Sequence, residues 1–85
     1  MGNIHTSGED YLEAILVIWN RQHGEVRSID IARELNVTKP SVSNAMKILR
    51  EGKFITMDEN GFITLTDDGR YVAEKIYEKH LVLTE

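Results

Sequence analysis

Eight residues within NVTKPSVSNAMKILREGKFI, positions 36–55, have side chains suited to the edge of a double helix. Thr38, Ser41, Ser43 and Asn44 are small and polar, Pro40 is compact, and Lys39, Lys47 and Arg50 are cations. Small side chains at the front of a helix let it approach the floor of a major groove, where bulky ones would hold it off. Asparagine can pair with adenine through two hydrogen bonds, and Pro40 or a serine methylene can touch a thymine methyl. The three cations would neutralise phosphates, which positions a protein on DNA without reading its sequence. The helix N-terminus can itself receive a phosphate. The same stretch also reads as an amphipathic helix with an ordinary cap, so its surroundings must decide between the two.

Charge is the first of those surroundings. The 85-residue chain has a net charge of −4 and a pI near 5.3, which argues against a generic nucleic-acid binder. The charge is unevenly placed. Residues 1–35 hold 3 basic and 6 acidic side chains, and residues 58–85 hold 3 and 7. Residues 36–57 hold Lys39, Lys47, Arg50 and Lys53 against Glu51 alone. The only basic segment is therefore the one with the small polar side chains.

The elements around it follow from spacing and punctuation. Ser7 with Asp10 reads as a capping box, and Tyr11, Leu12, Ile15, Leu16, Ile18 and Trp19 then recur at helical spacing up to a stop near Gly24. A short extended VRS leads to a second helix, IDIAREL, capped by Ser28 and burying Ile29, Ile31, Ala32 and Leu35. Asn36 and Val37 make a tight turn. Thr38 caps a third helix, with Pro40 in its first turn, where the missing N–H costs nothing. Val42, Ala45, Met46 and Leu49 form its buried face and Gly52 ends it. In FITMDENGFITLT, two runs of β-formers flank Asn60-Gly61, a strong hairpin signal. Thr66 caps a last helix whose stripe is Val72, Ala73, Ile76, Tyr77 and Leu81, with His80 on the same side. Two short helices joined by a tight turn and followed by a two-stranded ribbon describe a mainly α winged helix-turn-helix with a small β-hairpin. The length suits one domain over residues 1–85.

Several classes fall away. With no cysteine there are no disulfides, thiolate chemistry or Cys-type zinc sites, and a reducing cytoplasm fits. No apolar run approaches the roughly 20 residues needed to span a bilayer. Gly-rich phosphate loops, HExxH and nucleophile motifs are absent, so an enzyme is not expected. Two alternatives stay open beside DNA recognition: a winged helix used for protein contact, and a DNA-binding regulator that needs no metal.

EDYLEAI, VRSIDIARELNVTKPSVSNAMKILREGKFI, GFITLTDDGRYVAEKI and KHLVLTE together resemble the N-terminal half of the diphtheria-toxin-repressor family. These are metal-activated bacterial repressors with an iron-responsive and a manganese-responsive branch. The resemblance covers nearly the whole chain. Its most specific parts are the V-x-x-x-D-I-A-x-x-L-x-V to P-S-V-S segment and the L-T-x-x-G helix start. It implies a sequence-specific repressor domain controlling metal-homeostasis genes, acting as a homodimer on a palindromic operator in double-stranded DNA. The family's dimerisation segment would lie beyond Glu85, and the chain is expected to be a piece of a longer protein.

The resemblance also implies a metal site. Asp10 and Glu13 fall where the manganese-responsive branch has two first-helix ligands, and His80 matches a fourth-helix ligand. The iron-responsive branch has methionine where this chain has Asp10, so Mn²⁺ is expected over Fe²⁺, and oxygen-rich ligation suits that ion. Thr84 stands where the family often has an accessory Glu, which weighs against a second site. Each residue also has a plainer reading: Asp10 as part of the cap, Glu13 as a surface residue, and His80 as a satisfied histidine beside an apolar stripe.

Overall fold

The computed structural model describes residues 8–83, with side chains through residue 79. Its elements are α1 (Gly8–Gln22), α2 (Ser28–Leu35), α3 (Lys39–Glu51), β1 (Ile55–Met57), β2 (Ile63–Leu65) and α4 (Asp67–Leu83). This is the expected order. The proposed cap Ser7 lies outside the described residues.

One core holds the elements together. Ile15 and Ile18 of α1, Ile31 of α2, Val42 of α3, Ile55 and Ile63 of the hairpin and Ala73 of α4 are all fully buried. The hairpin is antiparallel, pairing Ile55 with Leu65, Thr56 with Thr64 and Met57 with Ile63. Strand alternation turns Ile55, Ile63 and Leu65 inward and leaves Thr56 and Thr64 exposed. Val26, in the short extended piece, adds a one-residue bridge to Ile63, whose N–H donates to the Val26 carbonyl at 2.8 Å. The wing is thereby tied to the connection between α1 and α2.

Four details differ from the sequence reading. Ile29 stays 37% exposed, because the buried arc of α2 is narrowed to Ile31 and Ala32 with Leu35 at its edge. Ser28 is the first helical residue of α2. The cap position belongs to Arg27, whose N–H donates to the Asp30 carboxylate at 3.0 Å. Tyr77 is exposed, while Val72 and Ile76 are half-buried beside Ala73. The hairpin loop is longer than a two-residue Asn-Gly turn. Gly61 N–H donates to the Asp58 carbonyl and Asp58 N–H to the Phe62 carbonyl, and Gly61 sits at φ 87°. This is a three-residue loop with a glycine bulge. The Asp58 carboxylate accepts from the N–H groups of Asn60 and Phe62 at 2.9 and 3.0 Å, which fixes the longer loop.

The start of α4 explains the L-T-x-x-G pattern. Thr66 Oγ1 donates to the Lys53 carbonyl at 2.7 Å and accepts from Gly69 N–H at 3.1 Å. A Cβ on residue 69 would run into the Phe54 carbonyl oxygen. Only glycine lets the first turn of α4 lie this close to the strand leading into the wing.

Candidate nucleic-acid interface

α3 begins as its sequence dictates. Thr38 is the N-cap, its Oγ1 accepting from Ser41 N–H at 3.3 Å, and Pro40 lies in the first turn. The Thr38 hydroxyl donates to Ser41 Oγ at 3.0 Å. Thr38 is thus committed to the cap, and the Ser41 hydroxyl keeps its own proton to offer outward.

Val42, Ala45, Met46 and Leu49 are buried, as expected from their spacing. Thr38, Lys39, Pro40, Ser41, Ser43, Asn44, Lys47 and Arg50 are all exposed. At 100° per residue, Pro40, Asn44 and Lys47 lie almost opposite the buried stripe, with the others fanned to either side. All eight are exposed, seven of them along α3 and Thr38 at its N-cap. Lys39, Lys47 and Lys53 have no ion-pair partner among the described residues. Arg50 Nη1 lies 3.8 Å from Met57 Sδ, which leans its guanidinium toward the wing.

Three further features were not foreseen. Ile48 is 58% exposed on the same helix, although its place outside the 42-45-46-49 stripe could have signalled it. The Arg27 guanidinium stacks 4.4 Å from the centre of the Phe62 ring, joining the start of α2 to the wing. Lys53, beyond the end of α3, takes a left-handed φ of 66°. Gly52, read as the residue that ends the helix, has an ordinary φ of −81°. It is the C-cap of α3, as read, and a Cβ there would come within 3.1 Å of the Phe54 ring. At the acidic wing tip, one Asp58 carboxylate oxygen accepts from two loop amides.

The other sequence-derived group lies on α1 and α4. Asp10 and Glu13 are half-buried on α1, three residues apart, and α1 packs along α4. His80 lies near the end of α4, and its side chain is outside the described residues. The structure thus brings the two helices together but does not place the third donor.

Residues 3–63 match the family described as iron dependent repressor, N-terminal DNA binding domain. The chain belongs to that family. As a member of the iron-dependent repressors it stands among transcription regulators, not enzymes. It is 34% identical over 77 residues to the transcriptional regulator MntR of Salmonella typhimurium, covering 88% of this chain and 47% of that protein. It is 32% identical over 72 residues to an uncharacterized HTH-type transcriptional regulator of Methanocaldococcus jannaschii, covering 85% and 58%. The chain spans about half the length of these relatives. Among solved structures it resembles ScaR with bound Zn²⁺, with a TM-score of 0.70 and 27% identity over 87% of this chain and 34% of that one. It also resembles the Staphylococcus aureus MepR–DNA complex, with a TM-score of 0.64 and 26% identity over 92% and 60%. The winged-helix fold of this iron-dependent repressor domain is thereby established. No helix among the described residues is long and apolar enough to cross a membrane.

Proposed function

We propose that this domain is the DNA-reading part of a metal-dependent transcriptional repressor of metal-homeostasis genes. One observation carries the reading: the eight side chains suited to DNA are all exposed, seven along α3 and Thr38 at its N-cap. Ser41, Ser43, Asn44 and Pro40 would face base edges, with Asn44 the main reader of adenine. Lys39, Lys47 and Arg50 would hold phosphates, and the Thr38 cap would present the start of the helix. The MepR–DNA complex supports the DNA reading by its likeness in fold. The repressor would work as a homodimer, two copies of α3 entering successive half-sites of a palindrome roughly 34 Å apart.

The metal reading belongs to the same proposal. Asp10 and Glu13 offer carboxylate oxygens from one face of α1. This donor set suits a divalent first-row ion, with Mn²⁺ favoured over Fe²⁺, and His80 on the neighbouring helix would be the third ligand. The likeness to MntR and to a Zn²⁺-bound ScaR supports divalent-metal control. A bound ion would supply positive charge between the carboxylates and a link from α1 to α4. The residues of the domain do the rest: α1 and α4 set where the α3 surface sits relative to its dimer mate.

The DNA half is tested by selecting duplexes from a random-sequence pool with the domain and comparing selected with scrambled sequence over a range of salt. A clear preference with a steep salt dependence is expected. Binding indifferent to both sequence and salt would contradict it. The metal half is tested by adding Mn²⁺ to the isotope-labelled domain. Amide broadening should centre on Asp10, Glu13 and His80, whereas broadening scattered over acidic surface residues would remove the site.

A further inference from the structure

Helix α3 ends in a Schellman motif. Phe54 N–H donates to the Leu49 carbonyl at 2.9 Å and Lys53 N–H to the Arg50 carbonyl at 3.0 Å. The residue at the left-handed position of this motif is usually glycine, sometimes asparagine. The ends of α1 and α2 carry His23 and Asn36 at their left-handed positions, and both residue types are enriched there. α3 instead carries Lys53, a long side chain at a position where its Cβ is unfavourable. Glu25 shares such an angle at φ 61°, so the use of the Lys53 side chain is read from what surrounds it.

The surroundings of Lys53 indicate that use. Arg50, Lys53, Ile55, Thr56, Met57 and Thr66 line an open groove of about 460 Å³ between the end of α3 and the first wing strand. Two of its lining residues, Arg50 and Lys53, are cations, and a third, Thr56, is exposed. Lys53 has no ion-pair partner among the described residues. Lys39 and Arg50 are eleven residues apart, about 16 Å of helix rise. A major groove is about 12 Å wide, so a helix entering by its N-terminal half leaves Arg50 and Lys53 at the level of the flanking backbone.

We propose that this groove seats one DNA backbone phosphate, held by Lys53 and Arg50 with Thr56 Oγ1 as a neutral donor. The proposal rests on the reading that α3 enters DNA. Lys53 then extends the interface from the recognition helix onto the base of the wing. It contributes affinity equally for every sequence, unlike Asn44.

The test measures Lys53→Gln, Lys53→Gly and Lys53→Arg by fluorescence anisotropy on a selected and a scrambled duplex, between 50 and 200 mM salt. Lys53→Gly relieves the left-handed strain, so a loss of binding in that variant does not come from unfolding. The Gln and Gly variants are expected to lose roughly eightfold in affinity at 0.1 M salt, equally on both duplexes, with the log–log salt slope reduced by about 0.9. Lys53→Arg should restore both. Unchanged affinity and slope in Lys53→Gln, while Asn44→Ala loses its sequence preference, would overturn the groove and leave the DNA reading standing. A loss confined to the selected duplex would also overturn it, since phosphate contacts do not discriminate. If the unaltered domain bound neither duplex, both readings would fall.

Discussion

The outward half of α3 and the facing sides of α1 and α4 are built on opposite plans. The α3 surface takes its chemistry from one stretch of thirteen residues, cationic and exposed, and its geometry is set by a cap spanning Thr38 to Ser41. The α1–α4 surface is acidic, and its proposed donors Asp10 and His80 are seventy positions apart in the chain. It exists only because two helices pack together. A binding face made within one helix is fixed once that helix forms, whereas a face made between helices depends on everything that sets their spacing.

The largest test of that contrast is Gly69→Ala. The added Cβ meets the Phe54 carbonyl, so the first turn of α4 must move off the strand beneath it. A cost of about 3 kcal/mol is expected in urea unfolding, at the upper end of overpacking effects. At temperatures where the variant is still folded, Mn²⁺ broadening should weaken more than DNA binding does. Equal losses would mean that the two faces are not separable.

Asn44→Ala should act the other way. It removes the bidentate partner for adenine and lowers discrimination between selected and scrambled duplex by about 2 kcal/mol, roughly thirtyfold. Anisotropy titrations check this, and the Mn²⁺ broadening pattern should stay as it was. Thr38→Ala is smaller and more local. Losing the cap costs about 1 kcal/mol, measured as a lower thermal midpoint. DNA affinity should fall along with it, because Ser41 loses the partner that orients its hydroxyl.

The smallest effect concerns the scaffold shared by both faces. Burial pushes the Tyr11 hydroxyl above the usual 10.0. The unfolded chain then releases this proton before the folded one as pH rises. Stability is fully present below about pH 10 and declines above it, as the linkage between proton binding and folding requires. Thermal midpoints recorded from pH 8 to 11 should show this alkaline decline flattened in Tyr11→Phe.

The same contrast explains what the sequence made legible. Thr38, Pro40 and the 42-45-46-49 stripe are local signals, and α3 forms as they indicate. Thr66 and the hairpin were readable for the same reason. The features that escaped depend on particular contacts that spacing does not show. Gly69 matters because of Phe54, fifteen residues earlier. Gly52 keeps an ordinary φ and Lys53 takes the left-handed one, which residue type alone does not signal. The wing loop outgrew a two-residue turn because the Asp58 carboxylate captures two amides. Asp10 and Glu13 were singled out by family resemblance, since i,i+3 carboxylates on a helix are common without any ligand.

The central claim is that α3, not the acidic α1–α4 side, meets DNA. The most direct test is an amide chemical-shift titration of the labelled domain with a selected duplex. The largest changes are expected from Thr38 to Arg50 and onward through Lys53 to Met57, with the Asp10 and Glu13 amides nearly still. Changes concentrated along α1 and α4, with α3 silent, would contradict the account.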